Sequence, residues 1–393
     1  MVFQRVAGRS TTVRPDETPP RIESWGAFCQ LSLLALAAVA IMAASQVRHF
    51  LPERFLLDGI YIGQTLQVPD GSLDPGDPFR NIALVYRVLG LTHAPNAAAV
   101  LALTGFVVAM FAALRWEELA RLTPLGLGVI AVCYALALIY LAQYSKEFVS
   151  LGIVILVLLL PRGWWAEGLI IASMLGYAAA IRPYWVIIAC LYVACRVLLP
   201  RVRGLLPVLF LVLLAFISLQ VAVNAVFEEP LTFQRIAVNA VRADVNTEVG
   251  SLIVDFLPPE TFLQAPNAFL VFISLVLPWP LLLGGSLTYL VMAFVLCLLW
   301  GLVGYSIVRL QREHQPRRPR RSRPVAVSRF APLGERAPRT ARAVALLLAL
   351  LIVQAIFEPD YGSYVKHLTP MLPLFCTLLP LRPRAAVFGT GTP

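Results

Sequence analysis

The stretch LLPVLFLVLLAFISLQVAVNAV, residues 205–226, contains no ionisable side chain. At about 1.5 Å per residue, a helix of that length crosses the roughly 30 Å hydrocarbon core of a bilayer. Similar apolar runs recur along the chain, and 59% of the 393 residues are hydrophobic against 14% charged, far from the balance of a soluble domain. Mean hydropathy is +0.77. The runs are too long and too evenly apolar for barrel strands, and lipid requires each backbone group to be satisfied within its own segment, so they read as helices. The expected fold is all-α, a polytopic integral membrane helical bundle.

Working outward from 205–226, candidate spans fall near 26–46, 97–114, 124–143, 149–160, 166–181, 184–199, 286–308, 342–357 and 369–381, about ten in all. Residues 267–285 are also apolar but contain Pro278-Trp279-Pro280 and Gly284-Gly285. They are expected to form a re-entrant or broken segment buried against protein. This divides the chain into an N-terminal tail (1–25), a main transmembrane region (26–308) with outer loops 47–96 and 227–266, a basic loop (309–342), C-terminal helices (343–381) and a tail (382–393). Arginines concentrate in the tails, the 309–342 loop and the short connections at 115–123, 161–165 and 196–204. By the basic-residue asymmetry these face the cytoplasm, with both termini on the inner side of a plasma membrane. The polar first 25 residues precede a run long enough to span, so the first helix is expected to remain as an anchor.

In outer loop 47–96, Ile82, Val85, Tyr86 and Leu89 share one face of a helix expected to lie in the interface. The Arg/Pro-rich run from about 311 to 341 reads as an unstructured topology lock, and no fold context for nucleic-acid binding accompanies it. Cys29, Cys133, Cys190, Cys195, Cys297 and Cys376 lie in or beside apolar runs and read as small hydrophobes rather than a disulfide framework. No phosphate-cradling glycine loop and no metal-ligand spacing occurs, so neither nucleotide-driven export, a cofactor nor a metal is expected.

Lys146 and Lys366 are the only lysines among 32 basic residues. Each lies in a short polar break, Tyr144-Ser145-Lys146-Glu147 and Glu358-Pro359-Asp360-Tyr361-Gly362-Ser363-Tyr364-Val365-Lys366-His367. A third break reads Ile181-Arg182-Pro183-Tyr184-Trp185. Charges at helix ends serve as caps and snorkelling anchors. Gathered on one face, they also provide what an anionic lipid-linked substrate needs. Glycosyl transfer from a lipid phosphate requires a carboxylate for the acceptor's proton and cations for the leaving phosphate. Arg182, Arg242, Lys146 and Lys366 are the cationic candidates. Glu147, Asp58, Glu53, Asp360 and Asp244 are the candidate bases. Tyr144, Tyr184, Trp185, Tyr361 and Tyr364 suit sugar stacking and equally suit an interfacial aromatic belt.

The Tyr-Ser-Lys-Glu break, the Ile-Arg-Pro-Tyr-Trp helix end, the Leu-Pro-Trp-Pro segment and the final Gly-Ser-Tyr-Val-Lys-His-Leu-Thr-Pro together resemble bacterial surface-polysaccharide repeat-unit polymerases of the O-antigen, capsule and exopolysaccharide pathways. The architecture is also similar to the wider polytopic glycosyltransferases that use polyprenyl-linked sugars. That resemblance implies a polyprenyl-diphosphate-linked oligosaccharide as donor and acceptor, with transfer at the outer face. It makes Arg182 the leading diphosphate contact and, with Glu147 and Asp58, the expected catalytic set. Lys146, Lys366, His367, Arg242, Tyr184 and Asp360 follow as substrate-binding residues. The implied partners are membrane lipid and other polysaccharide-assembly proteins. The adjacent acidic pair often found early in the first outer loop of the polyprenyl-phosphate-sugar enzymes is absent, which argues against metal dependence. Three alternatives stay open: use of single polyprenyl-phosphate sugars, a flippase for lipid-linked sugars, which would want charges midway along its spans, and a non-catalytic membrane subunit that scaffolds a synthase.

Overall fold

The computed structural model describes residues 21–68, 73–74, 76–245, 251–258, 261–313 and 336–383. Most of both tails and of the basic loop therefore lies outside the described residues. The described chain is helical, and its only strand-like pairing is a single antiparallel bridge between Leu252 and Asp360.

Six helices are long and apolar enough to cross a membrane: Trp25–Ala43, Pro95–Ala113, Pro124–Leu141, Leu205–Phe227, Leu287–Glu313 and Ala337–Phe357. Three shorter apolar helices are Glu147–Leu159, Trp185–Leu198 and Gln264–Val276. Trp164–Ala180 adds a further 17-residue helix. Helix length thus supports six crossings rather than the expected ten.

Two of these long apolar helices have opposite fates. Only 17% of the Leu205–Phe227 window is buried, and Leu206, Phe210, Leu214, Ile217 and Val221 point outward. For Ala337–Phe357 the figure is 89%, because it is wrapped by Trp185–Leu198, Gln264–Val276 and the C-terminal elements. A helix apolar on every side can face lipid or protein equally well. What distinguishes this one is the buried Arg342 and the following Glu358, which only a protein interior can partner. Small residues permit the other close crossing, where Ala98, Ala102 and Ala109 lie buried in the helix that packs on Glu147–Leu159. A Cβ at Gly105 would stand 3.4 Å from Leu151.

The prolines break the chain where expected. Gln264–Val276 stops before Pro278, and a five-residue helix, Trp279–Leu283, restarts beyond it. The expected span 369–381 differs more. It is a 3-10 turn, Thr369–Met371, followed by the six-residue helix Leu372–Thr377, and it is buried almost throughout. Pro370 and Pro373 each remove a helix donor, so the segment survives only because neighbouring helices shield it. It still leads from the Lys366 end of the bundle to the opposite one. There Arg382 and Arg121 exchange hydrogen bonds, Arg382 N to Arg121 O at 2.9 Å and Arg121 Nε to Arg382 O at 2.8 Å.

That opposite end is tied by arginines. Arg342 donates to Glu167 Oε1 at 2.9 Å and to the carbonyls of Leu160 and Pro161 at 2.6 and 3.0 Å, closing a helix end that has no further backbone donors. Arg196 and Tyr192 also donate to Glu167, at 2.9 and 2.6 Å. Arg336 and Arg339 pair with Glu118 at 3.1 and 3.4 Å.

The helix expected in the first outer loop is present as Pro78–Val88, capped by Asp77, which accepts from the N–H groups of Phe79 and Arg80. Its buried face is Asn81, Ile82, Ala83 and Tyr86, while Val85 is half-buried and Leu89 exposed. The face is rotated from expectation because Asn81 turns inward, donating to the carbonyls of Asp74 and Ala180. Of the six cysteines, Cys29, Cys133, Cys195 and Cys376 are buried, and all six are free thiols.

Candidate functional site: a buried ion network at three helix breaks

The three breaks meet. Ala142 ends the Pro124–Leu141 helix, and Lys146 precedes Glu147–Leu159. Arg182-Pro183 separates Trp164–Ala180 from Trp185–Leu198, and Glu358-Pro359 follows Ala337–Phe357. A residue before proline is pushed out of the helical region, and Glu358 is extended, at φ −73° and ψ 126°. Two of the central charges are therefore placed by the proline that follows each. Asp58, near the start of the helix Leu57–Gln67, comes from the segment 47–96.

Arg182 is the hub. Its Nη2 donates to Glu147 Oε1 at 2.7 Å and to His367 Nε2 at 2.8 Å. A guanidinium only donates, so Nε2 is the acceptor and the ring hydrogen sits on Nδ1. Nδ1 in turn donates to Glu358 Oε1. Glu147 is fully buried and Glu358 nearly so. In each carboxylate the second oxygen, Oε2, has no hydrogen-bond donor among the described residues. Beside this chain, Asp58 Oδ2 holds both lysines, Lys366 at 2.5 Å and Lys146 at 3.6 Å. The Lys146 ammonium also rests over the Phe79 ring, 3.7 Å from its centroid. Burial lowers the Lys146 pKa from its ordinary value, and Asp58 partly opposes that shift. Tyr184 stacks on Phe357 with ring centroids 5.4 Å apart.

Of the residues expected in the site, Arg182, Glu147 and His367 thus form one chain, with Tyr184 at its edge, and Asp58, Lys146 and Lys366 form a second cluster beside it. Asp360 belongs to neither. Its carboxylate caps the helix Tyr361–Leu368, accepting from Ser363 N at 2.8 Å and Ser363 Oγ at 3.0 Å. Arg242 lies on the helix Phe233–Val245, and its side chain, like that of Asp244, is outside the described residues. The buried arginine of that helix is Arg235, which pairs with Asp255 and donates to Ala355 O at 2.5 Å. Glu53 is exposed on the loop. Trp185, Tyr361 and Tyr364 belong neither to a belt nor to a sugar platform. All three are buried, with Tyr364 accepting from Trp300 Nε1 at 2.5 Å.

Glu358 is the member that the sequence reading passed over. The available signal was its repeat of the Arg182-Pro183 pattern, a charge placed directly before a helix-ending proline. Among the described residues no group of three or more His, Cys, Asp or Glu side chains gathers in a metal-holding arrangement. The arrangement can hold an anion with three cations and can accept hydrogen bonds at two buried carboxylate oxygens. Comparison with family models, curated proteins and solved structures finds no match for this chain.

Proposed function

We propose that this protein is a membrane glycosyltransferase that joins polyprenyl-diphosphate-linked saccharide units at the outer face of a bacterial plasma membrane during cell-surface polysaccharide synthesis. The reading is carried by one observation: Lys146, Arg182 and Lys366 converge with Asp58, Glu147 and Glu358 at breaks far apart in sequence. Ionisable groups buried in a membrane bundle are costly to maintain and mark substrate sites by default. Mutual pairing keeps the set neutral until a doubly charged ligand competes for the cations.

In the proposed reaction the acceptor hydroxyl oxygen attacks the anomeric carbon of the donor sugar. The bond from that carbon to the diphosphate oxygen breaks, and the diphosphate leaves with the electron pair. Arg182, Lys146 and Lys366 take up the developing charge. Glu147 receives the hydroxyl proton at Oε2, its unpartnered oxygen. Arg182 links the two events. Drawn toward the diphosphate, it leaves Glu147 without its nearest cation, which raises that carboxylate's affinity for a proton as the acceptor arrives.

The threading we infer is multi-pass with both termini cytoplasmic. The six long helices are joined in crossing by Glu147–Leu159, Trp164–Ala180 and Trp185–Leu198, and by 369–381 as a shielded, broken crossing, while Gln264–Val276 and the Pro278 break form the re-entrant segment. In support, Lys366 and Arg382 lie at opposite ends of the bundle, on a chain that returns to Arg121. Helices of 13 and 14 residues reach only about 20 Å, so the bilayer beside them thins or they tilt.

The test is binding of undecaprenyl diphosphate to the protein in nanodiscs, paired with polysaccharide chain length in a deletion strain. Saturable binding that depends on Arg182, together with loss of long chains, is the expected result. Precursor trapped at the cytoplasmic face would instead establish the flippase.

A further inference from the structure

Asp58 has no part in the proposed reaction, yet it holds two of that reaction's cations. Its Oδ2 meets Lys366 Nζ at 2.5 Å and Lys146 Nζ at 3.6 Å, and these are the chain's only lysines. The longer contact is loose for a hydrogen bond, and the Lys146 ammonium rests otherwise on the Phe79 ring. Two ammonium groups around one oxygen is also an arrangement in which lysines hold a phosphate oxygen. The lysine side chains are only 11% and 18% exposed, so a phosphate reaches them only if Asp58 gives way.

The helix that carries Asp58 is lightly held. Only Ile62 and Leu66 of Leu57–Gln67 are buried, and the helix packs chiefly on Pro78–Val88. That second helix is fastened to two of the three breaks. Asn81 donates to Ala180 O at 2.5 Å, and the Tyr86 hydroxyl donates to Ser145 O at 3.1 Å while accepting from Ser145 N at 3.0 Å. Arg87 ties the far end of the Asp58 helix to this anchor through the carbonyls of Thr65 and Leu66, at 3.0 and 3.3 Å. The near end is held by Gln143 Nε2, which donates to Phe55 O at 2.8 Å, and by the Asp58 ion pairs themselves. An open cleft of about 550 Å³ borders the Leu56, Gly59, Ile60 and Gly63 side of the helix, where a Cβ at Gly63 would meet nothing within 4 Å. One end is thus pinned, and the end bearing Asp58 has space beside it.

We propose that Asp58 is a latch: its carboxylate fills the seat in which Lys146 and Lys366 receive a phosphate group, and binding swings the Asp58 end of its helix aside about the Arg87 end. A diphosphate carries more negative charge than one carboxylate and so displaces it from the two cations. In its absence Asp58 keeps the lysines paired, as buried charges require. This inference rests on the transferase reading for the lipid attached to the phosphate, but the latch itself requires only the phosphate.

The experiment uses the full chain in phosphatidylcholine nanodiscs, with undecaprenyl diphosphate and inorganic diphosphate as probes. Asp58→Asn keeps the side chain's shape and removes its charge, and it is expected to bind both probes about tenfold more tightly than the parent, the scale of one charge-assisted contact. Unchanged or weaker binding overturns the proposal, because Asp58 would then support the lysines rather than block them. A cross-link tests the motion. A Cβ at Gly59 would stand 3.5 Å from the Cβ of Gln143, within disulfide reach. Gly59→Cys with Gln143→Cys, in a chain without its own six cysteines, therefore fastens the Asp58 end to the Lys146 break. Oxidised with copper phenanthroline, this protein should lose binding of both probes, and a phosphine reductant should restore it. Adding Asp58→Ala should restore binding to the oxidised protein, since the helix stays fixed but no carboxylate fills the seat. Undiminished binding after oxidation, or none in the oxidised Asp58→Ala form, overturns the latch. The probes separate the two readings. If inorganic diphosphate follows this pattern and undecaprenyl diphosphate does not bind, the transferase reading falls and the latch stands. Undecaprenyl diphosphate binding that ignores both Asp58 and the cross-link removes only the latch, and binding of neither probe to any form removes both.

Discussion

Arg182 and Glu147 lie 35 residues apart and meet at 2.7 Å, with the carboxylate fully buried and the arginine side chain nearly so. Their pairing joins the break after Trp164–Ala180 to the start of Glu147–Leu159. It makes one ion pair both a strut between helices and the centre of the proposed site.

Arg182→Ala should therefore do more than remove a substrate contact. From sequence, a helix-mouth arginine would be expected to contribute little to packing. Buried as it is, its loss strands Glu147 and His367, and breaking one side of such a pair costs about 3–5 kcal/mol. The double variant Arg182→Gln with Glu147→Gln should recover most of that loss, because both charges go together. Thermal unfolding of the detergent-solubilised protein followed by size-exclusion decides it. Additive losses in the double variant would show that the pair does not act as a unit.

Lys146 should make anion binding sensitive to alkali. It faces Asp58, Glu147, Arg182, Lys366 and the Phe79 ring, and burial is the largest influence in lowering its pKa. As pH rises, its charge is lost before that of an ordinary lysine, and undecaprenyl diphosphate binding should weaken on that limb. Stability should move the other way. Over the interval between the lowered folded pKa and the unfolded value near about 10.4, the unfolded chain holds more protons, so this residue's contribution rises with pH. Lys146→Arg should shift the binding limb upward, because a guanidinium stays charged. A titration of binding against pH that is identical in both proteins would rule out Lys146 as its source.

Much of this site is legible in the sequence, for physical reasons that differ from residue to residue. Lys146 and Lys366 stand out because charges are rare between apolar runs, and Arg182 because Pro183 must end its helix. What the sequence does not reveal is the direction a side chain takes once the chain turns. Asp360 and Glu358 share one polar break, but Asp360 turns back to cap Ser363 while Glu358 turns inward to His367. The spacing Asp360-x-x-Ser363 is compatible with a cap, so the distinction was partly readable. The same limit applies to 369–381. Its apolarity is that of a span, and only its prolines hint that it travels as broken, shielded pieces.

The threading can be checked with single cysteines introduced into a chain lacking its own six. Gln46 and Arg203 are both exposed and lie just beyond the ends of different long helices. A membrane-impermeant maleimide should label Gln46→Cys on intact cells and reach Arg203→Cys only after lysis. Labelling of Arg203→Cys from outside would invert the bundle and place the ion network on the cytoplasmic side.

Glu358 provides the sharpest separation of charge from geometry. Its Oε1 accepts the Nδ1 hydrogen of His367, which in turn keeps Nε2 turned to Arg182. In Glu358→Gln the amide oxygen can still accept that hydrogen, so the ring stays in place and stability should change by less than about 1 kcal/mol. In Glu358→Ala the Nδ1–H is left without a partner, and the loss should reach about 1–3 kcal/mol. Diphosphate binding supplies the second readout. If Glu358 acts only by holding His367, Glu358→Gln binds undecaprenyl diphosphate like the parent and Glu358→Ala binds it more weakly. If its negative charge restrains Arg182 instead, removing that charge in Glu358→Gln frees the cation and binding tightens. The hydrogen-bond chain through His367 predicts the first pattern, and tighter binding by Glu358→Gln would show that charge, rather than the orientation of the ring, is what Glu358 contributes.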